Sequence, residues 1–270
     1  IGSIGGKELM FSLDFLYALI WYGYLIGFLF FAVSAYFLLR FQARRGVAIF
    51  SLFAGYVLFG LAVITTAYGY YQHVEYFGLL VLDLSPIFYV ASQVSRLFYF
   101  EELTGIFLQY FVSYTSRLFF KWNITFMLVA VADFFLFAFT EESFIQKRKY
   151  LIPFGVVTAS LVVFFFLFWD PLINWVAVMV LSLATYVILV YFSFRAMQLA
   201  KKRSYRYGFA MILSSNVFLS LFFVFMSIDR LLGRWTPFLF VAWTILFLAS
   251  ILAFVGYTTP PWFKKLFKET

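Results

Sequence analysis

The sequence predicts an all-α fold, a polytopic integral membrane bundle, and three observations carry that prediction. Apolar runs of about 20 residues recur from one end of the chain to the other, each long enough to cross roughly 30 Å of hydrocarbon as a helix. Charged residues make up only 12% of a chain that is 65% hydrophobic and 25% aromatic, too little polar surface to clothe a soluble core. The runs are apolar on every side, whereas a barrel strand would alternate lipid-facing and lumen-facing residues over about 10 positions.

From the N-terminus, the first run extends from about Leu9 to Leu39 with Asp14 near its start, and is closed by Arg40, Arg44 and Arg45. It is too long for the apolar region of a cleavable signal. The second, Val47 to Tyr71, finishes in the aromatic cluster Tyr68-Gly69-Tyr70-Tyr71, suited to a membrane interface, and His73 and Glu75 follow as a loop. The third, Tyr76 to Phe100, is interrupted by Asp83, Pro86, Gln93 and Arg96 and ends at Glu101-Glu102. A short fourth, Leu103 to Phe120, contains Gln109 and Arg117, and a fifth, Trp122 to Phe139, contains Asp133.

Next comes a helical hairpin, membrane-spanning on both of its uncharged legs, Leu151 to Trp169 and Leu172 to Phe194. Asp170 between them suits an N-cap, and Pro171 occupies the first helical turn, where a missing N–H does no harm. The basic cluster Lys201-Lys202-Arg203 closes the hairpin. Tyr207 to Ile228 carries Ser214-Ser215-Asn216, and Pro237 to Tyr257 is the last run. The tail from Trp262 to Lys268 interleaves aromatic and basic groups, as an interfacial anchor does. Residues 1–259 form one transmembrane domain and residues 260–270 its tail.

These runs give eight or nine hydrophobic segments, or seven if the region around Asp83 to Phe120 re-enters. Basic loops face the cytoplasm in membrane proteins. Placing the anchors Arg40, Arg44 and Arg45, the loop Lys147-Arg148-Lys149, the anchors Lys201, Lys202 and Arg203, and the C-terminus all on that side requires an even number of crossings between His73 and Trp122. The expected location is the cell membrane, with a cytoplasmic C-terminus. A weak internal three-helix repeat is also suggested, since Tyr36 to Arg40 matches Tyr191 to Arg195 and Ser85 to Ala91 matches Thr236 to Ala242.

Composition excludes several chemistries. With no cysteine and one histidine, the chain has no thiol nucleophile, thiolate metal site or multi-histidine site of its own. No lysine lies inside an apolar run, which removes a mid-helix retinal Schiff base. No Walker loop, dinucleotide turn or HExxH helix appears. No cofactor or metal is expected, and an enzyme is disfavoured. The net charge of +8 is accounted for by basic loops meeting anionic headgroups, so nucleic acid is not an expected partner. The expected partners are the lipid bilayer and a protein docking through the basic loops and the tail.

Polar groups inside apolar runs are costly unless paired or hydrated, which makes them the candidates for a ligand or ion path. Asp83, Gln93, Arg96, Glu101, Asp133 and Asn216 are those candidates. Asn216 shares a helix face with Ser220 and Ser227, a polar stripe of the kind that joins helices. The expected function is a non-enzymatic membrane module, a receptor-like sensor or a scaffold subunit. The alternative is a transporter or channel with a polar path between helices.

Overall fold

In hydrocarbon each backbone N–H and C=O must be bonded within its own segment, so apolar runs of this length close into helices. A computed structural model of the 270-residue chain describes residues 13–71, 105–145, 149–167, 171–231 and 237–266. The helices are α1 (Leu13–Arg44), α2 (Val47–Tyr71), α3 (Gly105–Thr140), α4 (Leu151–Leu167), α5 (Pro171–Leu199), α6 (Arg203–Leu231), α7 (Pro237–Thr258) and the short α8 (Pro261–Leu266). A π-helical turn, Glu141–Ile145, continues α3. Among the described residues six helices, α1 to α3 and α5 to α7, are long and apolar enough to cross a membrane, and α4 is a shorter apolar helix.

Proline marks several of the starts. Pro171, Pro237 and Pro261 each open a helix, where the lost N–H would have had no intrahelical partner. At the other end of α7, Thr259 takes a positive φ of 39° and its N–H reaches the Val255 carbonyl at 2.9 Å, a left-handed cap followed by Pro260.

Two sequence expectations change. The separate runs Leu103 to Phe120 and Trp122 to Phe139 are one continuous helix of 36 residues, because nothing after Gly105 breaks it: α3 has no proline and no further glycine. The described residues therefore do not show eight or nine separate segments. The run Tyr76 to Phe100 lies outside them. The hairpin also differs, since α4 packs mainly on α3 and only slightly on α5. Phe154 stacks on Phe137 with centroids 4.2 Å apart, and Gly155 sits under the Phe134 ring. The buried side of α5 is turned instead to α3 and α6.

Side-chain pairs fix the direction of every helix. Gly27 meets Gly60 and Phe41 meets Phe50, so α1 and α2 are antiparallel. Thr65 bonds Thr125 while Phe50 packs on Phe135, so α3 reverses α2. Phe126 against Phe165 and Phe137 against Phe154 reverse α4. Asn123 with Asn174 and Asp133 with Ser182 make α5 parallel to α3. Ser227 with Trp175 and Asn216 with Ser193 reverse α6, and Ser215 with Ala249 and Gly208 with Gly256 reverse α7.

Helices α1, α3, α5 and α7 thus end on the same side of the bundle. Every basic side chain whose position is described lies at that end: Arg40, Arg45 and Lys149, then Arg195, Lys201, Lys202, Arg203, Arg206 and Lys265. Arg44 closes α1 there too, whereas Arg117 and Lys121 sit in the first half of α3 and Arg230 near the end of α6, toward the opposite end of the bundle. In α8, Trp262 is exposed but Phe263 is buried, so this part of the tail is docked onto the bundle.

The perimeter is apolar and open. Ile152 is 75% exposed, Trp21 69% and Phe28 62%, a surface unsuited to water and suited to a lipid bilayer. Only Thr158 and Phe165 of α4 are buried, which places this helix at the rim. Inside, Trp175 packs between Phe126 and Phe223, and Phe30 between Tyr56 and Phe59. Of the suggested repeat, one matching pair is described. Arg40 lies over the Tyr36 ring at 5.9 Å and Arg195 over Tyr191 at 6.0 Å, each closing a helix at the basic end. The Ser85 to Ala91 member of the other pair lies outside the described residues.

Candidate functional site

Hydroxyls on membrane helices usually bond the carbonyl one turn back, which satisfies them without a partner. Thr66, Thr140, Thr185 and Ser220 do this here. The informative polar groups are those that reach across helices. Asn174 donates from Nδ2 to Asn123 Oδ1 at 2.9 Å, fixing α5 on α3. Trp175 Nε1 donates to Ser227 Oγ at 3.2 Å, and Asn216 Nδ2 to Ser193 Oγ at 3.4 Å, both between α5 and α6.

Asp133 is the most enclosed of the candidates. Its exposure is 0%, and Ser182 on α5 donates to its Oδ2 at 2.5 Å, while Oδ1 is buried without a hydrogen-bond partner. The Tyr186 hydroxyl, one turn further along α5, is close enough to interact with the same carboxyl but falls outside strict hydrogen-bond geometry. A carboxylate so placed needs a proton or a cation to offset its charge. Nearer the basic end the Tyr56 and Tyr257 rings meet edge-on, 6.2 Å apart at 87°.

Tyr257 lines a cavity of about 180 Å³ at that end. Five helices and the π-helical turn meet around it. Arg40 of α1 and Tyr205 of α6 are exposed at its mouth, and Phe139, Phe144 and Leu189 form much of the wall. A second cavity, about 40 Å³, lies between α2, α3, α5, α6 and α7 and is bounded by Phe126, Trp175, Phe223 and Trp243. The Trp243 indole N–H is buried there without an acceptor. No protein-family model, curated protein or solved structure matches this chain.

The residues singled out in the sequence are thus distributed, not gathered. Asp83, Gln93, Arg96 and Glu101 lie outside the described residues. Asp133 and Asn216 both reach α5 but contact it three turns apart, roughly 16 Å along the axis. Among the described residues no group of three or more His, Asp or Glu side chains is arranged to hold a metal ion. Three features had no local signal: Ser182 and Tyr186 beside Asp133, the Asn123 and Asn174 pair, and the cavity behind Arg40. Glu141 adds a fourth. Its Oε1 accepts the Tyr150 N–H at 2.7 Å, capping the start of α4 with an acceptor from the preceding helix.

Proposed function

We propose that this chain is a non-enzymatic membrane module, a receptor-like sensor or scaffold subunit, set with its basic end toward the cytoplasm. The observation that carries the reading is the gathering of most of the basic residues of the described helices and loops at one end of a bundle in which several interior polar groups bond across helices. A cation-rich end is the side retained in the cytoplasm during insertion, and it attracts anionic headgroups and acidic protein surfaces. The exposed Trp262 and Lys265 of α8 extend that surface. Chemistry aimed at a partner therefore resides on the end, not in the middle.

The test is association. With a photo-crosslinking residue at Trp262 or Lys265 in native membranes, one discrete adduct that disappears on neutralising Lys201, Lys202 and Arg203 would support a docking end. Adducts to lipid alone would count against a protein partner.

The transporter reading rests on one observation, the Asp133 Oδ1 without a partner at the centre of the bundle. Asp133 is fully enclosed and neither described cavity is lined by it, which favours the module reading. Ion or proton flux into liposomes that is lost in Asp133→Asn would reverse that preference.

A further inference from the structure

The cavity at the basic end joins two unlike surfaces. One is the guanidinium of Arg40. Its Nη1 donates to the Tyr36 hydroxyl at 3.1 Å, and among the described residues no carboxylate pairs with it. The other is apolar, built from Phe139, Phe144, Leu189, Phe209 and Ile212, and among the described residues no acidic side chain lines the space.

A guanidinium presents five N–H donors in a planar fork that matches two oxygens of a phosphate or carboxylate. The space behind it, about 180 Å³, exceeds the roughly 150 Å³ that suffices for a benzene ring in an apolar cavity. A complete lipid is too large for it. A head and the first part of a chain, or a small ringed anion, would fit.

One wall is fixed. Gly208 of α6 and Gly256 of α7 bring the two backbones into contact where Gly256 lines the cavity, and a Cβ on Gly256 would lie 2.8 Å from the Gly208 carbonyl oxygen. Ser193 and Thr259 add hydroxyl groups to the lining.

We propose that this cavity is a binding site for an anionic amphiphile, a phosphate or carboxylate head held by Arg40 with its apolar body among Phe139, Phe144, Leu189 and Phe209. The site is independent of whether a protein docks on the basic end. The same chemistry is available from an anionic membrane lipid or from a freely diffusing aryl phosphate or carboxylate.

The experiment uses the full chain in detergent, stripped of lipid and titrated while its thermal unfolding is followed. The probes are dihexanoyl phosphatidic acid, dihexanoyl phosphatidylcholine as the zwitterionic control, and phenyl phosphate. The expected result is a preference of about tenfold or more for phosphatidic acid over phosphatidylcholine, abolished in Arg40→Gln and partly retained in Arg40→Lys. Phe209→Trp, which fills the cavity and leaves Arg40 in place, should weaken phosphatidic acid binding to a similar extent.

Protection by phenyl phosphate that also depends on Arg40 would assign the site to a diffusing anion. Protection by phosphatidic acid alone would assign it to a lipid whose chain leaves toward the bilayer. The proposal is overturned if Arg40→Gln and Phe209→Trp bind phosphatidic acid as the natural chain does while neutralising Lys201, Lys202 and Arg203 abolishes binding. That pattern would mean diffuse attraction to the basic surface. Equal affinity for phosphatidic acid and phosphatidylcholine would overturn it as well. Arg40 is exposed, so its substitution is compatible with folding, which gel filtration and circular dichroism check.

Discussion

Asp133 has no exposed surface, and a single serine hydroxyl bonds its carboxyl across a helix interface. Removing that carboxyl strands the Ser182 donor and opens a small void. Asp133→Ala is expected to lower stability by about 1 to 2 kcal/mol, the upper part of the range for interhelical hydrogen bonds in membranes. Asp133→Asn keeps an acceptor and the shape, and is expected to cost less than about half as much. Reversible unfolding in mixed detergent micelles measures both. The sequence identified Asp133 because a carboxyl in an apolar run is conspicuous. It did not identify Ser182 or Tyr186, since serines and tyrosines are common on these helices and most satisfy themselves locally or face the interface. Asn216 illustrates the same limit: its helix face was legible, but its partner Ser193 was not.

Among the elements, the contact of α6 with α7 depends most on the absence of side chains. A Cβ on Gly256 would press on the Gly208 carbonyl and the Ile212 amide, both backbone and unable to yield. Gly155 faces only the Phe134 ring, at 3.1 Å, which can turn aside. Gly256→Ala is accordingly expected to cost about 1 to 3 kcal/mol, and Gly155→Ala distinctly less, in the same unfolding measurement. Element boundaries were legible wherever a breaker stands. The start of α2 falls at Val47 as read, and Pro171 and Pro237 set the starts of α5 and α7. Between Gly105 and Phe139 there is no breaker, and reading Lys121 as an interruption split a helix that runs through it. The partner of α4 was hidden for a different reason: adjacency in sequence suggests adjacency in space, but the Phe137, Phe154 and Phe134 rings hold α4 against α3.

For the whole molecule, the alternation of helix direction makes a topological statement. Lys149, Lys201 and Lys265 share one end of the bundle, and Tyr71 lies at the other. The chain contains no cysteine, so single cysteines can be introduced without background. K149C, K201C and K265C are expected to react with a membrane-impermeant maleimide from the same side, and Y71C from the opposite side. Reaction of K149C and K201C from different sides would break the alternation. Charge counting along the sequence anticipated this grouping, because loop charge is a property of composition. It could not supply the cavity behind Arg40, which exists only because five helix ends and a π-helical turn converge there.

The bond between Asp133 and Ser182 also has a place in time. The two residues are 49 positions apart, and at about 5 to 20 residues per second a ribosome needs roughly 2 to 10 seconds to travel from one to the other. During that interval the chain already holds a carboxyl that costs about 2.5 to 3.5 kcal/mol at a helix centre, while the serine that will bond it is not yet made. The insertion of α3 is therefore completed by a later helix. Truncated chains released from the ribosome and ending before Ser182 should show α3 less fully membrane-embedded, by glycosylation mapping, than released chains that continue past Leu199. Equal embedding in both would show that α3 commits to the membrane alone.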